Sequence, residues 1–203
     1  MTRTSCGTIW QAGLAQLLLC TVGTVLAQPS PAPAAVAASI AASAADLPAE
    51  LRNSLPQAKL IGKARLKIWG FDVYDVRLWA SAGFNPARYS AFPLALELVY
   101  LRDFKAQDIV ERSLKEMRRT QPIDDTQAAQ WKSDMQRVFL DVRKGDRLTG
   151  LHRPGEGAAF WVNGQASGEI RDAEFSRLFF GIWLSPQTSE LAMRASLLGG
   201  SGE

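Results

Sequence analysis

Residues 145–184, GDRLTGLHRPGEGAAFWVNGQASGEIRDAEFSRLFFGIWL, constrain the fold more than any other stretch of the chain. Two short runs, 146–153 and 158–162, are joined by Pro154-Gly155-Glu156-Gly157, and the second passes through Asn163-Gly164 into a third run at 165–170. Asn-Gly between two such runs favours the left-handed backbone of a two-residue hairpin, so three antiparallel strands are predicted. Asp172 then offers a helix cap, and Phe175, Leu178, Phe179 and Ile182 recur at the spacing of one helix face. Ser185-Pro186 stops that helix. The same stretch is poor in reactive chemistry. It has no cysteine, and its His152 is the only histidine of the chain.

The preceding residues predict more of the same architecture. Residues 59–69 alternate, with Leu60, Gly62, Ala64, Leu66 and Ile68 on one face and Lys59, Lys63, Arg65 and Lys67 on the other. After Gly70, residues 71–80 form a second strand that puts Phe71, Val73, Asp75, Arg77 and Trp79 on one face. Residues 83–93 read as a loop around Asn85-Pro86, and residues 94–102 as a third strand carrying Leu94, Leu96, Leu98, Tyr100 and Arg102 on a face. A helix is predicted over 105–120, closed by Pro122, and another from about Asp125-Thr126 with Ala128, Trp131, Met135, Val138 and Phe139 as its apolar stripe. A last helix spans about 188–198, ahead of Gly199-Gly200. Three strands, two helices, three strands and two helices give an α+β domain with helices gathered on one face of an antiparallel sheet.

The chain begins with a targeting pattern. Arg3 precedes a largely apolar run at 9–26, and Val25-Leu26-Ala27 fits a small-x-small cleavage site, so residues 1–27 are expected to be a signal peptide. An uncleaved anchor is the rival, weakened by Gln11 and Gln16 inside the run. Residues 28–46, QPSPAPAAVAASIAASAA followed by Asp46, are expected to be a linker, because they hold almost no side chain large enough to offset ordering entropy. The folded domain is expected at 47–199, in the periplasm or outside the cell, with no membrane span once the leader is removed. Both cysteines, Cys6 and Cys20, fall in the leader, so the mature chain is expected to lack disulfides and thiol chemistry. A net charge of +3 from 23 basic and 20 acidic residues is too balanced to argue for nucleic acid.

Few groups could carry function. One histidine and no mature cysteine leave no metal site, and no cofactor is expected. His152 lies beside a glycine turn without any G-x-S-x-G, and is expected to be an exposed strand-end or loop residue. The arginines and tyrosines remain. Arg65 sits in a basic stripe that reads as a solvated face. Arg77 shares its predicted face with large apolar residues, where Asp75 could neutralise it, or where its guanidinium could hold an anion in an apolar pocket. Tyr100 and Arg102 continue an aliphatic face, either as core tyrosine and snorkelling arginine or as groups that capture an amphipathic anion.

The first two strands, residues 60–65 and 73–79, resemble the opening hairpin of chalcone isomerase-like proteins. So do residues 94–100, the helix segment 113–117, Gly145-Asp146, Asn163-Gly164 and Phe179-Phe180-Gly181-Ile182-Trp183-Leu184, which match the bacterial exported branch of that family. The resemblance covers about residues 51–199. It implies an open-faced β-sandwich, a long antiparallel sheet covered by a helical layer with a cleft between them. It also implies either an intramolecular lyase that stabilises a phenolate, or a binder of fatty acids through an arginine and a tyrosine. By position the family's arginine matches Arg65, its hairpin threonine falls near Tyr74, its helix tyrosine near Ile109 and its asparagine near Glu116. Residues 104–116 contain neither tyrosine nor asparagine, so the isomerase set is incomplete. The resulting expectation is a binder of a small amphipathic ligand, a fatty acid or phenolic anion, using Arg65, Tyr74, Arg77 and Tyr100. The alternatives are an isomerase with Arg65 catalytic, and an envelope scaffold whose cleft is filled by tryptophans such as Trp69, Trp79 and Trp131.

Overall fold

The computed structural model describes residues 47–200. The expected leader at 1–27 and linker at 28–46 lie outside the described residues. Six strands follow the chain order across one antiparallel sheet: β1 (Lys59–Ile68), β2 (Phe71–Ala80), β3 (Leu94–Tyr100), β4 (Arg147–Arg153), β5 (Gly157–Val162) and β6 (Gln165–Ile170). Among the described residues four helices, α1 (Ala106–Thr120), α2 (Asp125–Val138), α3 (Ala173–Leu184) and α4 (Leu191–Leu197), join this sheet in an α+β fold. Short 3-10 turns occupy Ala49–Leu51 and Pro86–Ala91.

The caps act locally. Asp124 Oδ1 accepts from the Gln127 amide at 2.9 Å, so the cap of α2 lies one residue before the expected Asp125. Asp172 Oδ1 accepts from the Phe175 amide at 2.9 Å and starts α3 as expected. Each such cap stabilises its helix by about 1 kcal/mol.

Alternation then sorts side chains between the two sheet faces. Leu66, Val76, Leu78, Leu94, Leu96, Leu98 and Phe160 point toward the helices and join Met117, Trp131, Met135, Phe175 and Leu178 in the main core. Phe179 is its aromatic hub, with Phe139, Phe160, Phe175, Phe180 and Trp183 rings all within 5.7 Å of its own. The opposite face is covered in part by the segment before β1. Leu47, Leu51, Leu55 and Ala58 pack there on Trp79, Ala95, Leu151 and Ala159. Fully burying a leucine stabilises by roughly 2 kcal/mol, so this strap is a substantial second layer.

Two bulges correct the faces read from alternation. Leu60 pairs with Trp79 but Gly62 pairs with Leu78, which leaves Ile61 as the extra residue and moves Leu60 off the helix side. Leu66 pairs with Tyr74 but Lys67 pairs with Asp72, so Val73 is the extra residue of β2. The parity of β2 reverses there, and Phe71 and Val73 part company with Asp75, Arg77 and Trp79. Helix α4 lies close on β1: a Cβ at Gly62 would stand 2.3 Å from the Ser196 carbonyl oxygen, so only glycine fits.

Candidate functional site

The second bulge builds the site. Because Val73 is extra, consecutive residues Val73 and Tyr74 both face the helices, and with Leu66, Ile68, Leu98 and Tyr100 they form the floor of a cavity of about 270 Å³. Helix α1 closes one side through Ile109, Arg112, Ser113 and Glu116. Phe179, Ile182 and Trp183 of α3 and Met193 of α4 close the other. Trp69, Trp79 and Trp131 do not line this space, so the tryptophan plug considered from sequence is absent from it.

Tyr74 and Tyr100 stand side by side in β2 and β3, paired across the strands, with their rings edge-to-face and 6.0 Å apart. The Trp183 indole N–H donates to the Tyr74 hydroxyl at 3.0 Å, which leaves the Tyr74 proton free to donate elsewhere. Burial raises both phenols above the ordinary tyrosine range, so each stays protonated at neutral pH.

The polar end belongs to α1, where Arg112 and Glu116 lie one turn apart. The Glu116 side chain is only 5% exposed, and its Oε2 pairs with Arg119 Nε at 3.2 Å and accepts from Ser189 Oγ at 2.9 Å. Its Oε1 is 3.1 Å from Arg112 Nη2, near enough for ionic attraction but not aligned as a hydrogen bond. Glu116 therefore keeps two partners if Arg112 swings away. Among the described residues that line the cavity, Arg112 is the single basic one, against the carboxylates of Asp108, Glu116 and Glu190.

The structure brings two of the four expected site residues together and separates the other two. Tyr74 and Tyr100 line the cavity. Arg65 and Arg77 point to the opposite sheet face, which corrects the expectation that either supplies charge to the cleft. Strand parity is the reason, since Arg65 is paired with Asp75, and Arg77 with Glu97, on that face. Arg65 donates to both oxygens of Asp75, at 2.6 and 2.8 Å, and to Asp72 at 3.1 Å. This fork raises the Arg65 pKa and lowers that of Asp75. Arg77 Nη1 lies 3.5 Å from Glu97 and its charge also helps lower the Asp75 pKa, while Glu97 shares Arg147 with Glu50. Arg102 is exposed, with its guanidinium 5.0 Å from the Phe71 ring centroid.

His152 is also corrected: it is a buried core residue, not an exposed one. Its Nε2 is 3.0 Å from the Ser90 carbonyl oxygen, which can only accept, so Nε2 carries the proton and Nδ1 accepts from Ser176 Oγ at 2.6 Å. Burial lowers its pKa and holds it neutral. Sequence reasoning did not name Arg112 as a site candidate, and met Glu116 only as the position near which the family's asparagine falls, although their i,i+4 spacing is visible. Among the described residues no three His, Cys, Asp or Glu side chains group as a metal site, and no helix is long and apolar enough to cross a membrane.

A model of chalcone isomerase-like proteins matches residues 42–199. An uncharacterized protein of Haemophilus influenzae is 29% identical over 132 residues, which cover 64% of this chain and 63% of that protein's own length. The crystal structure of an Arabidopsis thaliana fatty-acid binding protein superposes with a TM-score of 0.55 at 11% identity, over 70% of this chain and 87% of that one, and shows the shared fold. The chain belongs to the chalcone isomerase-like family.

Proposed function

We propose that this member of the chalcone isomerase-like family binds a small amphipathic molecule, a fatty acid in the first instance, between its sheet and its helices. The observation that carries the reading is an apolar cavity of about 270 Å³ with its hydrogen-bonding groups gathered at Tyr74, Arg112 and Glu116. Ligand pockets run from about 300 Å³ upward, so the site suits one short acyl chain and not a two-chain lipid. Each methylene buried there stabilises the complex by about 0.8 kcal/mol. The headgroup carboxylate meets Arg112, released from Glu116, and takes a proton-donating bond from Tyr74. The related fatty-acid binding protein supports the same ligand class. Export through the leader belongs to this reading, and the amino-terminal sequence of the protein recovered from the periplasm or medium tests it.

One observation favours a second reading. Three carboxylates line the cavity against one arginine, which disfavours a fully ionised headgroup and suits an uncharged amphiphile such as a fatty alcohol or phenol. A catalytic reading of the intramolecular lyase type asks for a cation facing the bound anion. Arg65 faces away from the cavity, so Arg112 is the residue available for that role.

Native mass spectrometry of the purified protein with lauric acid and with dodecanol decides between these. The fatty-acid reading expects lauric acid retained, and lost at least tenfold in Arg112→Gln, with dodecanol indifferent to that change. Equal retention of both ligands in both proteins favours the uncharged amphiphile. Retention of neither ligand overturns the binding proposal, and chalcone cyclisation above the spontaneous rate moves the enzyme reading ahead of it.

A further inference from the structure

The turn between β1 and β2 carries a residue that its own backbone disfavours. Trp69 adopts φ 50° and Gly70 φ 82°, the left-handed pair of a two-residue hairpin. A bulky side chain in that region is an outlier, because its Cβ crowds the neighbouring carbonyl. Trp69 recovers nothing from packing, since it is 92% exposed. Phe71 beside it is 59% exposed, with the Arg102 guanidinium 5.0 Å from its ring centroid. Leu191, 62% exposed, lies between Glu190 and Met193, two residues that line the cavity. Ile68 and Val73, which flank the turn, line it too. Three of the exposed large apolar side chains therefore stand at the cavity's end of the molecule.

We infer that this end docks on a phospholipid bilayer, with Trp69 and Phe71 at headgroup depth. Size and chemistry select that occupant. An aromatic side chain contributes about 150–250 Å² of contact, so two of them on a protruding turn fall well short of the roughly 800 Å² per partner of a stable protein interface. Tryptophan is the side chain best suited to the boundary between acyl chains and headgroups. Lys67 and Arg102 flank the aromatics and can reach lipid phosphates, while the one carboxylate of the tip, Asp72, is already paired with Arg65 at 3.1 Å and Lys67 at 3.2 Å. The attachment is chiefly apolar, so it depends only weakly on salt. It also turns the cavity toward the membrane, from which a single-chain amphiphile could enter.

The test uses the full chain with vesicles of phosphatidylethanolamine and phosphatidylglycerol, with and without dibrominated acyl chains that quench nearby indoles. Trp69→Asn is the informative variant, because asparagine suits the left-handed turn and preserves the fold. Trp10, Trp79, Trp131, Trp161 and Trp183 give the same indole background in both proteins, so the difference between them reports Trp69. The expected result is quenching of the Trp69 fluorescence, and an affinity for vesicles lowered about tenfold in Trp69→Asn and less in Phe71→Ser. Equal affinity of wild type and Trp69→Asn with no Trp69 quenching overturns the proposal. A dimer in sedimentation without vesicles that Trp69→Asn dissociates also overturns it, in favour of a second copy. Ligand retention in native mass spectrometry is read separately, so an empty cavity in a vesicle-bound protein sinks the ligand reading alone.

Discussion

Two turns of this sheet have nearly the same backbone and opposite residue logic. Asn163-Gly164 between β5 and β6 has φ values of 51° and 81°, and Trp69-Gly70 between β1 and β2 has 50° and 82°. Asn163 is tied in: its Oδ1 accepts from the Arg147 amide at 2.8 Å and its Nδ2 donates to Asp146 at 2.9 Å. The residue there serves the fold, since asparagine tolerates the left-handed region and its amide locks β4 to the hairpin. At the other turn the same geometry holds a tryptophan that is almost wholly in solvent. The difference teaches that turn geometry fixes the glycine in both places but not the residue before it. What lies around the turn decides that.

The comparison can be broken in order of effect. Trp69→Asn gives the largest change, the roughly tenfold loss of vesicle affinity set out above. Next, Asn163→Ala removes two hydrogen bonds and a residue suited to its φ, and is expected to destabilise by roughly 1–2 kcal/mol in denaturant unfolding. An unchanged midpoint would mean that Asn163 is as free as Trp69. Trp69→Asn is expected to stabilise the fold by about 1 kcal/mol in the same measurement, and a loss instead would reveal contacts that hold the indole in place. The smallest effect is electrostatic. The Arg143 amide and the Asn163 side chain hold the Asp146 carboxyl below its ordinary value of 3.8. That lowered pKa contributes stability at pH values above 3.8, lost as pH falls through the folded-state pKa. In a carboxyl NMR titration Asp146 should move upward in Asn163→Ala and stay unchanged in Trp69→Asn.

The strands and helices were legible because alternation, helical spacing, caps and Asn163-Gly164 all work within a few residues. The site was less so. Alternation carried past Val73 assigns Phe71 to the wrong face, since nothing local in the sequence announces the bulge that re-aims Val73 and Tyr74 into the cavity. Tyr74 was a candidate through its place in the family resemblance, near the hairpin threonine, and Tyr100 because it continues the aliphatic face of β3. Arg65 was drawn toward the cleft by position within the family resemblance, while the basic stripe of β1 pointed correctly to the far face. Arg112 looked like an ordinary helix-surface charge, and Glu116 stood near the family's asparagine position without any sign that it is buried. Only the packing of α1 over the sheet, and Ser189 arriving from beyond α3, shows that Glu116 is buried. His152 failed for a similar reason, because its partners Ser90 and Ser176 are distant in sequence and made burial cheap.

The strap over the far sheet face has a consequence for the order of events during folding. Each strand of the sheet pairs with its neighbour in sequence, so the sheet can zip up in chain order. The strap cannot settle with it. Glu50 meets Thr149 at 2.8 Å and Arg147 at 3.2 Å, and both arrive nearly a hundred residues later. Leu51 and Leu55 likewise wait for Leu151 and Ala159. The first part of the domain in the chain is thus among the last to find its place, and until β4 and β5 are in position its leucines remain available to whatever escorts the unfolded chain.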